Sequence, residues 1–136
     1  MVASVATGAA WSSGAARHEA KMANDTIFDK ILRKEIPSTA VYEDDDVYAF
    51  EDLQPQAPRH VLVIPKQKLE SFSDIKDADA GAVGAFMRGV SRVAGHLGLE
   101  DNGYRVVFNT GPDAQQTVQY IHAHILGGRK MSWPPG

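Results

Sequence analysis

The sequence predicts an α+β fold, with an antiparallel sheet of about five strands, one long helix and one short helix. Three observations lead to this prediction. Apolar residues follow a 3.6-residue period over one long stretch only, between positions 82 and 97. Strand-like segments outnumber helices. Most of them are joined by turns rather than by helical crossovers, which favours an antiparallel sheet over a doubly wound parallel one.

Residues 1–24 are predicted to form a disordered tail outside the folded domain. Ala, Ser, Gly and Thr dominate its first part, and no acidic residue occurs before Glu19. A segment of this composition cannot bury enough apolar surface to fold. Its lack of acidic residues leaves organelle targeting open as a second interpretation. We therefore assign a single domain to residues 25–136.

A short amphipathic helix is predicted directly after the tail. Asn24 or Asp25 is placed to cap it, and Pro37 lies beyond its end. Its apolar residues follow at helical spacing: Ile27, Phe28, Ile31 and Leu32.

Three strands are predicted next. Residues 41–43 and 47–50 flank three consecutive aspartates, which is typical of a hairpin. Pro55 and Pro58 then interrupt regular structure. The run 60–64 is apolar without alternation, as expected for a strand that is covered on both faces.

The long helix and two further strands complete the predicted fold. Charged residues, Lys68 among them, return the chain to solvent before the helix at 82–97, and Gly98 stands at the position where glycine ends a helix. A strand over 104–109 and a last strand over 118–126 follow.

The composition excludes several classes of function. The absence of cysteine excludes a disulfide framework, a cysteine nucleophile and thiolate-ligated metal sites, so a metal would have to bind His, Asp or Glu. A net charge of −3 is too balanced for nucleic-acid binding through a bulk basic field. No apolar run approaches the roughly 20 residues that span a bilayer. We therefore predict neither a nucleic-acid partner nor a membrane.

The most informative segment is 115–128. In a strand, successive side chains alternate between faces, so Tyr120, His122 and His124 face one side and the intervening apolar residues face the other. Two imidazoles about 6.6 Å apart on one face suit a nucleophile and a proton-handling group, and they equally suit a metal. Taken alone, this pattern is also typical of a half-exposed strand without a function.

The segment resembles the signature of histidine triad (HIT) proteins, in which three histidines alternate with apolar residues. His122 and His124 match the second and third histidines, whereas Tyr120 stands at the first. The resemblance covers about 25–136 and includes DTIFDKILRKEIP, DLQPQAPRHVLVIPK and LGGRKMSWPPG. The last of these segments, LGGRKMSWPPG, is most similar to the histidine triad nucleotide-binding (Hint) branch.

The resemblance implies a HIT-like fold whose sheet extends across a homodimer. It also implies a purine nucleoside phosphoramidase that hydrolyses adenosine 5'-monophosphoramidates, including AMP joined to a lysine amine. The products are AMP and the amine, and the reaction passes through a covalent intermediate in which the nucleotide is bonded to a histidine. No cofactor and no metal is implied. We expect a cytoplasmic protein and leave a nuclear location open.

The resemblance further implies the catalytic residues. His122 attacks the phosphorus, while its Nδ1 atom bonds to the backbone carbonyl of residue 120. His124 and Thr117 assist departure of the amine and stabilise the phosphoryl oxygens. His60 supports the site from the neighbouring strand.

The nucleotide contacts are implied in the same way. Asp52 accepts the ribose hydroxyls, and Asn109 and Gln116 contact the phosphate together with Thr117. Trp133, in the C-terminal tail, reaches the site of the partner subunit. Apolar residues line the purine slot: Ile27, Phe28, Ile31, Phe50 and Leu53.

Three alternatives stay open. The first is a metal hydrolase that uses His60, His122 and His124. The second is a nucleotide-binding or scaffold protein with weak turnover, because Tyr120 replaces a histidine. The third is a histidine triad branch that acts on dinucleoside polyphosphates, although the WPPG ending is not typical of it.

Overall fold

The computed structural model describes residues 24–136, so that the predicted tail, apart from Asn24, lies outside the described residues. Five strands form one antiparallel sheet in the order β1-β2-β3-β5-β4, which confirms the predicted α+β class. The elements are α1 (Ile27–Leu32), β1 (Ala40–Glu43), β2 (Val47–Glu51), β3 (Arg59–Pro65), a 3₁₀ helix (Phe72–Asp77), α2 (Ala80–His96), β4 (Tyr104–Val107) and β5 (Ala123–Gly127).

Strand β3 occupies the centre of the sheet, as its continuous apolar run predicts. It pairs with β2 on one side and with β5 on the other. Every residue of β3 after Arg59 is buried. This central strand also fixes the position of β5, because Leu62 lies opposite His124 in the register.

The two faces of the sheet carry separate apolar clusters. Helix α2 covers one face, where Gly89 permits close approach to β2: a Cβ atom at Gly89 would lie 2.4 Å from Cγ1 of Val47. Helix α1 covers the other face. The cluster under α1 consists of Phe28, Ile31, Tyr48, Phe50, Leu62, Ile64 and Tyr120.

The ends of the helices follow from local hydrogen bonds. Asp79 caps α2 by accepting from the backbone N–H of Ala82, and Gly98 adopts a φ of +73° just after the helix, which favours glycine. The predicted cap of α1 is wrong by one or two positions. Thr26 caps α1, because its hydroxyl accepts from Phe28 and Asp29 while the Asp29 carboxylate accepts from the Thr26 N–H.

Three other details differ from the prediction. Strand β4 ends at Val107, and the 3₁₀ helix was not predicted. The last strand begins at Ala123 rather than at 118. The residues before it bond to the segment 65–70 instead of pairing as a strand; for example, the N–H of Ile121 donates to the carbonyl of Leu69 at 2.7 Å.

Within residues 24–136, none of the helices is long and apolar enough to cross a membrane.

Candidate functional site

Three histidines meet on the α1 side of the sheet. His60 belongs to β3, His124 belongs to β5, and His122 directly precedes β5. The ring centroids of His122 and His124 lie 5.0 Å apart, and those of His60 and His124 lie 5.1 Å apart. The predicted alternation of side chains around position 122 is confirmed, since Tyr120 packs under α1 while Ile121 joins the opposite cluster.

Within residues 24–136, His122 forms a hydrogen bond through one ring nitrogen and not through the other. Its Nδ1 atom lies 2.7 Å from the backbone carbonyl oxygen of Tyr120. A carbonyl only accepts, so Nδ1 carries the proton and Nε2 keeps its lone pair. Burial lowers the pKa of His122 below its usual value, against the opposing effects of the Tyr120 carbonyl and Asp52. The imidazole is therefore neutral and nucleophilic at neutral pH.

His124 contacts His60 and leaves its second nitrogen unpaired. His60 Nε2 and His124 Nδ1 lie 2.9 Å apart, in hydrogen-bond contact. The Nε2 atom of His124 is buried and has no hydrogen-bond partner among the described residues. Burial, and then the neighbouring His122 and His60, lower the pKa of His124 to about 4. A buried polar atom without a partner is costly, and a ligand oxygen would satisfy it.

Asp52 completes the group beside His60. One carboxylate oxygen accepts from the backbone N–H of Gln54 at 2.8 Å, and the other lies 3.4 Å from His60 Nε2. Asp52 therefore reaches the histidines with one oxygen not held by the main chain.

Part of the predicted purine slot lies directly beside His122. Phe28 packs edge-on against the His122 ring at 5.0 Å and against Phe50 at 5.6 Å. Ile31 is buried in the same cluster. The other two predicted residues lie at the surface, because Ile27 is half-exposed and Leu53 is 92% exposed.

The predicted phosphate contacts lie on the loops around the site. Gln116 is buried, and its amide group holds the loop: Oε1 accepts from the N–H of Gly111, and Nε2 donates to the carbonyls of Glu70 and Val118. Thr117, next to it, is exposed, and Asn109 is half-buried two residues after β4. The side chain of Gln116 thus already has backbone partners.

Trp133 lies in the exposed C-terminal segment. It is 81% exposed, and the Arg105 guanidinium lies 5.9 Å from its ring. Its predicted contact with a partner subunit stays a prediction.

Tyr120, at the position of the first triad histidine, is locked in place. The side chain is 1% exposed, its hydroxyl donates to the Pro65 carbonyl, and Lys68 Nζ lies 5.4 Å from its ring centroid. Lys68 also donates to the Asp29 carboxylate of α1 at 2.7 Å. These contacts tie the segment that carries Tyr120 and His122 to the helix that carries Phe28.

Sequence reasoning placed Lys68 in solvent, and this is wrong, because only 11% of its side chain is exposed. It also missed the backbone N–H of Gln56, which donates to His60 Nδ1 at 3.0 Å. The position of Lys68 among charged residues gives no sign of burial. The prolines around Gln56 do indicate a fixed bend, which was the only available signal for the second contact.

Among residues 24–136, the group of side chains that could hold a metal ion is Asp52, His60 and His124, whose ligand atoms lie within 4.8 Å of one another. This set differs from the alternative predicted above, since it contains Asp52 in place of His122. The facing nitrogens of His60 and His124 point at each other in a hydrogen bond, so they do not both point at a third atom. A zinc ion at its usual distance of about 2.0–2.1 Å from each nitrogen does not fit this arrangement.

Comparisons with known proteins identify the family of the chain. The model of the HIT domain family matches residues 33–131. The chain is 53% identical to a 14 kDa zinc-binding protein of Zea mays over 113 residues, which is 82% of this chain and 88% of that protein. It is 49% identical to an uncharacterized HIT-like protein of Synechococcus elongatus over 115 residues, covering 85% of this chain and all of that protein.

Solved structures show the same fold. A HIT family hydrolase from Legionella pneumophila superposes with a TM-score of 0.76 at 44% identity, over 81% of this chain and 98% of that one. A histidine triad protein from Clostridium difficile gives a TM-score of 0.73 at 45% identity, over 79% of this chain and 94% of that one. With its five-stranded sheet and its two histidines at the start of β5, the chain belongs to the HIT domain family.

Proposed function

We propose that this protein is a hydrolase of nucleoside phosphoramidates that releases AMP and an amine through a nucleotidyl intermediate on His122. The observation that carries the proposal is the contact between His122 Nδ1 and the Tyr120 carbonyl, at 2.7 Å. This contact leaves Nε2 as the free, neutral nucleophile in a buried site. A HIT family hydrolase among the similar structures supports the same reaction class.

The proposed reaction has two steps and consumes one water molecule. First, the nitrogen of the amine takes up a proton from solvent, the Nε2 lone pair of His122 forms a bond to the α-phosphorus, and the phosphorus–nitrogen bond breaks to release the neutral amine. Then the bond between phosphorus and His122 breaks as water supplies an oxygen, and AMP leaves. Overall, the hydroxyl of the water goes to phosphorus and its proton goes to the amine. The Tyr120 carbonyl stabilises the imidazolium of the intermediate by accepting from Nδ1–H.

The phosphoryl oxygens need donors that are already in place. The unpaired Nε2 of His124 supports this role, because a bound oxygen would give it the partner that it lacks. Thr117 and Asn109 are proposed to add contacts from the loops. Gln116 is proposed to act mainly through the loop that its amide holds.

The nucleoside is proposed to lie against α1. Phe28, Phe50 and Ile31 offer apolar surface for a flat purine base next to His122. Asp52 is proposed to accept the ribose hydroxyls through the oxygen that Gln54 does not hold. Ile27 and Leu53, at the surface, are proposed to complete the rim.

We further propose a homodimer. In residues 24–136, β4 ends the sheet, with β5 on one side and no strand on the other. Its Tyr104 and Val106 side chains are exposed apolar groups, which suits pairing with a second copy. Trp133 is then available to the site of the partner. A cytoplasmic or nuclear location stays a prediction.

A zinc-dependent reaction is the competing candidate, because relatives from Zea mays and Brassica juncea are named 14 kDa zinc-binding proteins. The hydrogen bond between His60 and His124 argues against a resident ion at Asp52. We expect chelator-treated protein, shown to be metal-free by elemental analysis, to keep its activity. Loss of activity that is restored by zinc would favour the metal hydrolase.

Turnover of a fluorogenic adenosine phosphoramidate tests the proposed reaction. We expect the wild type to release the amine and His122→Ala to lose about a thousandfold or more in rate while it still folds. His96→Ala, which changes an exposed histidine on α2, is the matched control and should retain activity. Binding of AMP without any hydrolysis by the wild type would instead favour the scaffold alternative.

A further inference from the structure

The starting observation is a main-chain contact to His60. The backbone N–H of Gln56, in the bend between Pro55 and Pro58, points at His60 Nδ1 with an N···N distance of 3.0 Å. A backbone amide only donates, so His60 Nδ1 must be an acceptor without a proton. His60 is therefore neutral and carries its one proton on Nε2.

The position of the proton on His60 determines the position of the proton on His124. His60 Nε2 lies 2.9 Å from His124 Nδ1, so the proton on His60 is donated to His124. His124 Nδ1 is then an acceptor, and the single proton of His124 is on Nε2. The oxygen of Asp52 at 3.4 Å from His60 Nε2 agrees with a proton on that atom.

We propose that Gln56 is a positioning residue whose main-chain N–H fixes the tautomer of His124 through His60, so that His124 presents a neutral N–H donor to the phosphoryl group. The tautomer itself follows from the geometry of the chain. Its catalytic consequence rests on the proposed function.

The fixed tautomer defines what His124 does in the reaction. For His124 to become an imidazolium, its Nδ1 would need a proton, and this proton would face the N–H of His60. In the described part of the chain, the charged and titratable groups that face His124 are His60, His122 and Asp52, and the low pKa of His124 agrees with this arrangement. His124 therefore stabilises charge on phosphoryl oxygens by donating a hydrogen bond and is not the proton source for the amine.

The unpaired Nε2 of His124 fits this role. It is buried and has no acceptor in the described part of the chain. Because the tautomer is already fixed, this N–H donor is in place before the substrate arrives. In the proposed complex a phosphoryl oxygen accepts a hydrogen bond from it. The main-chain N–H of Gln56, in the bend 55–58, thus determines through the rings of His60 and His124 which nitrogen donates to the phosphate.

Nitrogen-15 NMR of histidine-labelled wild-type protein tests the tautomers directly. We expect His60 and His124 both to be neutral with the proton on Nε2 at pH 7, and His122 to carry it on Nδ1. A proton on Nδ1 of His124 would overturn the proposal. The spectrum reports the tautomers whether or not the protein hydrolyses a phosphoramidate. Failure of the proposed function would be seen in a different measurement, as no turnover of any phosphoramidate.

Two variants isolate the main-chain N–H. Gln56→Pro removes it, whereas Gln56→Ala changes the side chain and keeps it. We expect the proline variant to show mixed tautomers at His60 and His124, and its kcat to be about tenfold below that of the alanine variant with little change in KM. Identical tautomers in the two variants would contradict the proposal. If the proline variant does not fold, the wild-type spectrum still decides.

Discussion

The carbonyl oxygen of Tyr120 lies 2.7 Å from Nδ1 of His122. This contact uses the main chain, so a tyrosine supplies it as well as a histidine would. The Tyr120 hydroxyl and the Pro65 carbonyl fix the position of that residue from the other end. The departure from the family signature therefore leaves the contact that orients His122 intact.

Removal of the Tyr120 hydroxyl should cost stability more than rate. In Tyr120→Phe the buried Pro65 carbonyl loses its donor, which predicts a loss of about 1–3 kcal/mol in the free energy of unfolding. The carbonyl of residue 120 remains, so we expect kcat to stay within about threefold. Urea unfolding and turnover measure the two effects. A hundredfold loss of kcat with unchanged stability would show that the hydroxyl takes part in the chemistry.

The acid limit of activity should lie below the usual range for histidine. Burial lowers the pKa of His122, so the proposed nucleophile stays unprotonated at pH values where an exposed histidine is already charged. We expect kcat/KM to be nearly constant from pH 8 down to about 6.5 and to fall only below that value. The pH profile of the wild type measures this. An acid limb with a midpoint above about 6.5 would contradict it.

Acid should also destabilise the fold through His124. Its pKa is lowered to about 4 in the folded protein, whereas an unfolded histidine titrates near 6.5. Between these values the unfolded chain binds more protons, so the free energy of unfolding falls as the pH drops from about 6.5 towards 4.

The measurement is urea unfolding across this pH range in wild type and in His124→Asn. The variant lacks the titrating ring, so its stability should fall less steeply with decreasing pH. Equal slopes in the two proteins would show that His124 does not make this contribution.

Lys68 should link the purine slot to the segment that carries Tyr120 and His122. Its ammonium contacts the Asp29 carboxylate of α1 and lies over the Tyr120 ring. Lys68→Met keeps the length of the side chain and leaves Asp29 without its cation, which predicts a loss of about 1–3 kcal/mol.

We also expect a higher KM for Lys68→Met, because α1 carries Phe28, which lies beside His122. A double-mutant cycle with Asp29→Asn measures the coupling between the two residues. A coupling free energy of zero would show that the contact between Lys68 and Asp29 does not stabilise the protein.

The sequence alone predicted most of the elements, because their signals are local. The period of α2, the hairpin of β1 and β2 and the apolar run of β3 each lie within a few neighbouring residues. The alternation around His122 predicted the two faces correctly even though the regular strand begins only at Ala123.

The contacts that define the site were not predictable in this way. The partners of Tyr120 at Pro65, of His60 at His124 and of Lys68 at Asp29 are 55, 64 and 39 residues apart in the chain. Periodicity carries no information about such pairs, since they depend on the order of strands in the sheet. For the same reason the burial of Lys68 and the engaged amide of Gln116 emerged only from the structure.

The most direct test of the proposed function is to trap the intermediate on His122. Wild-type protein is mixed with an adenosine phosphoramidate, quenched rapidly and analysed by mass spectrometry of its peptides. We predict one adenylyl group on the peptide that contains His122, and none in His122→Ala. Release of amine by the wild type with no adduct on His122, or with an adduct on another residue, would contradict the account.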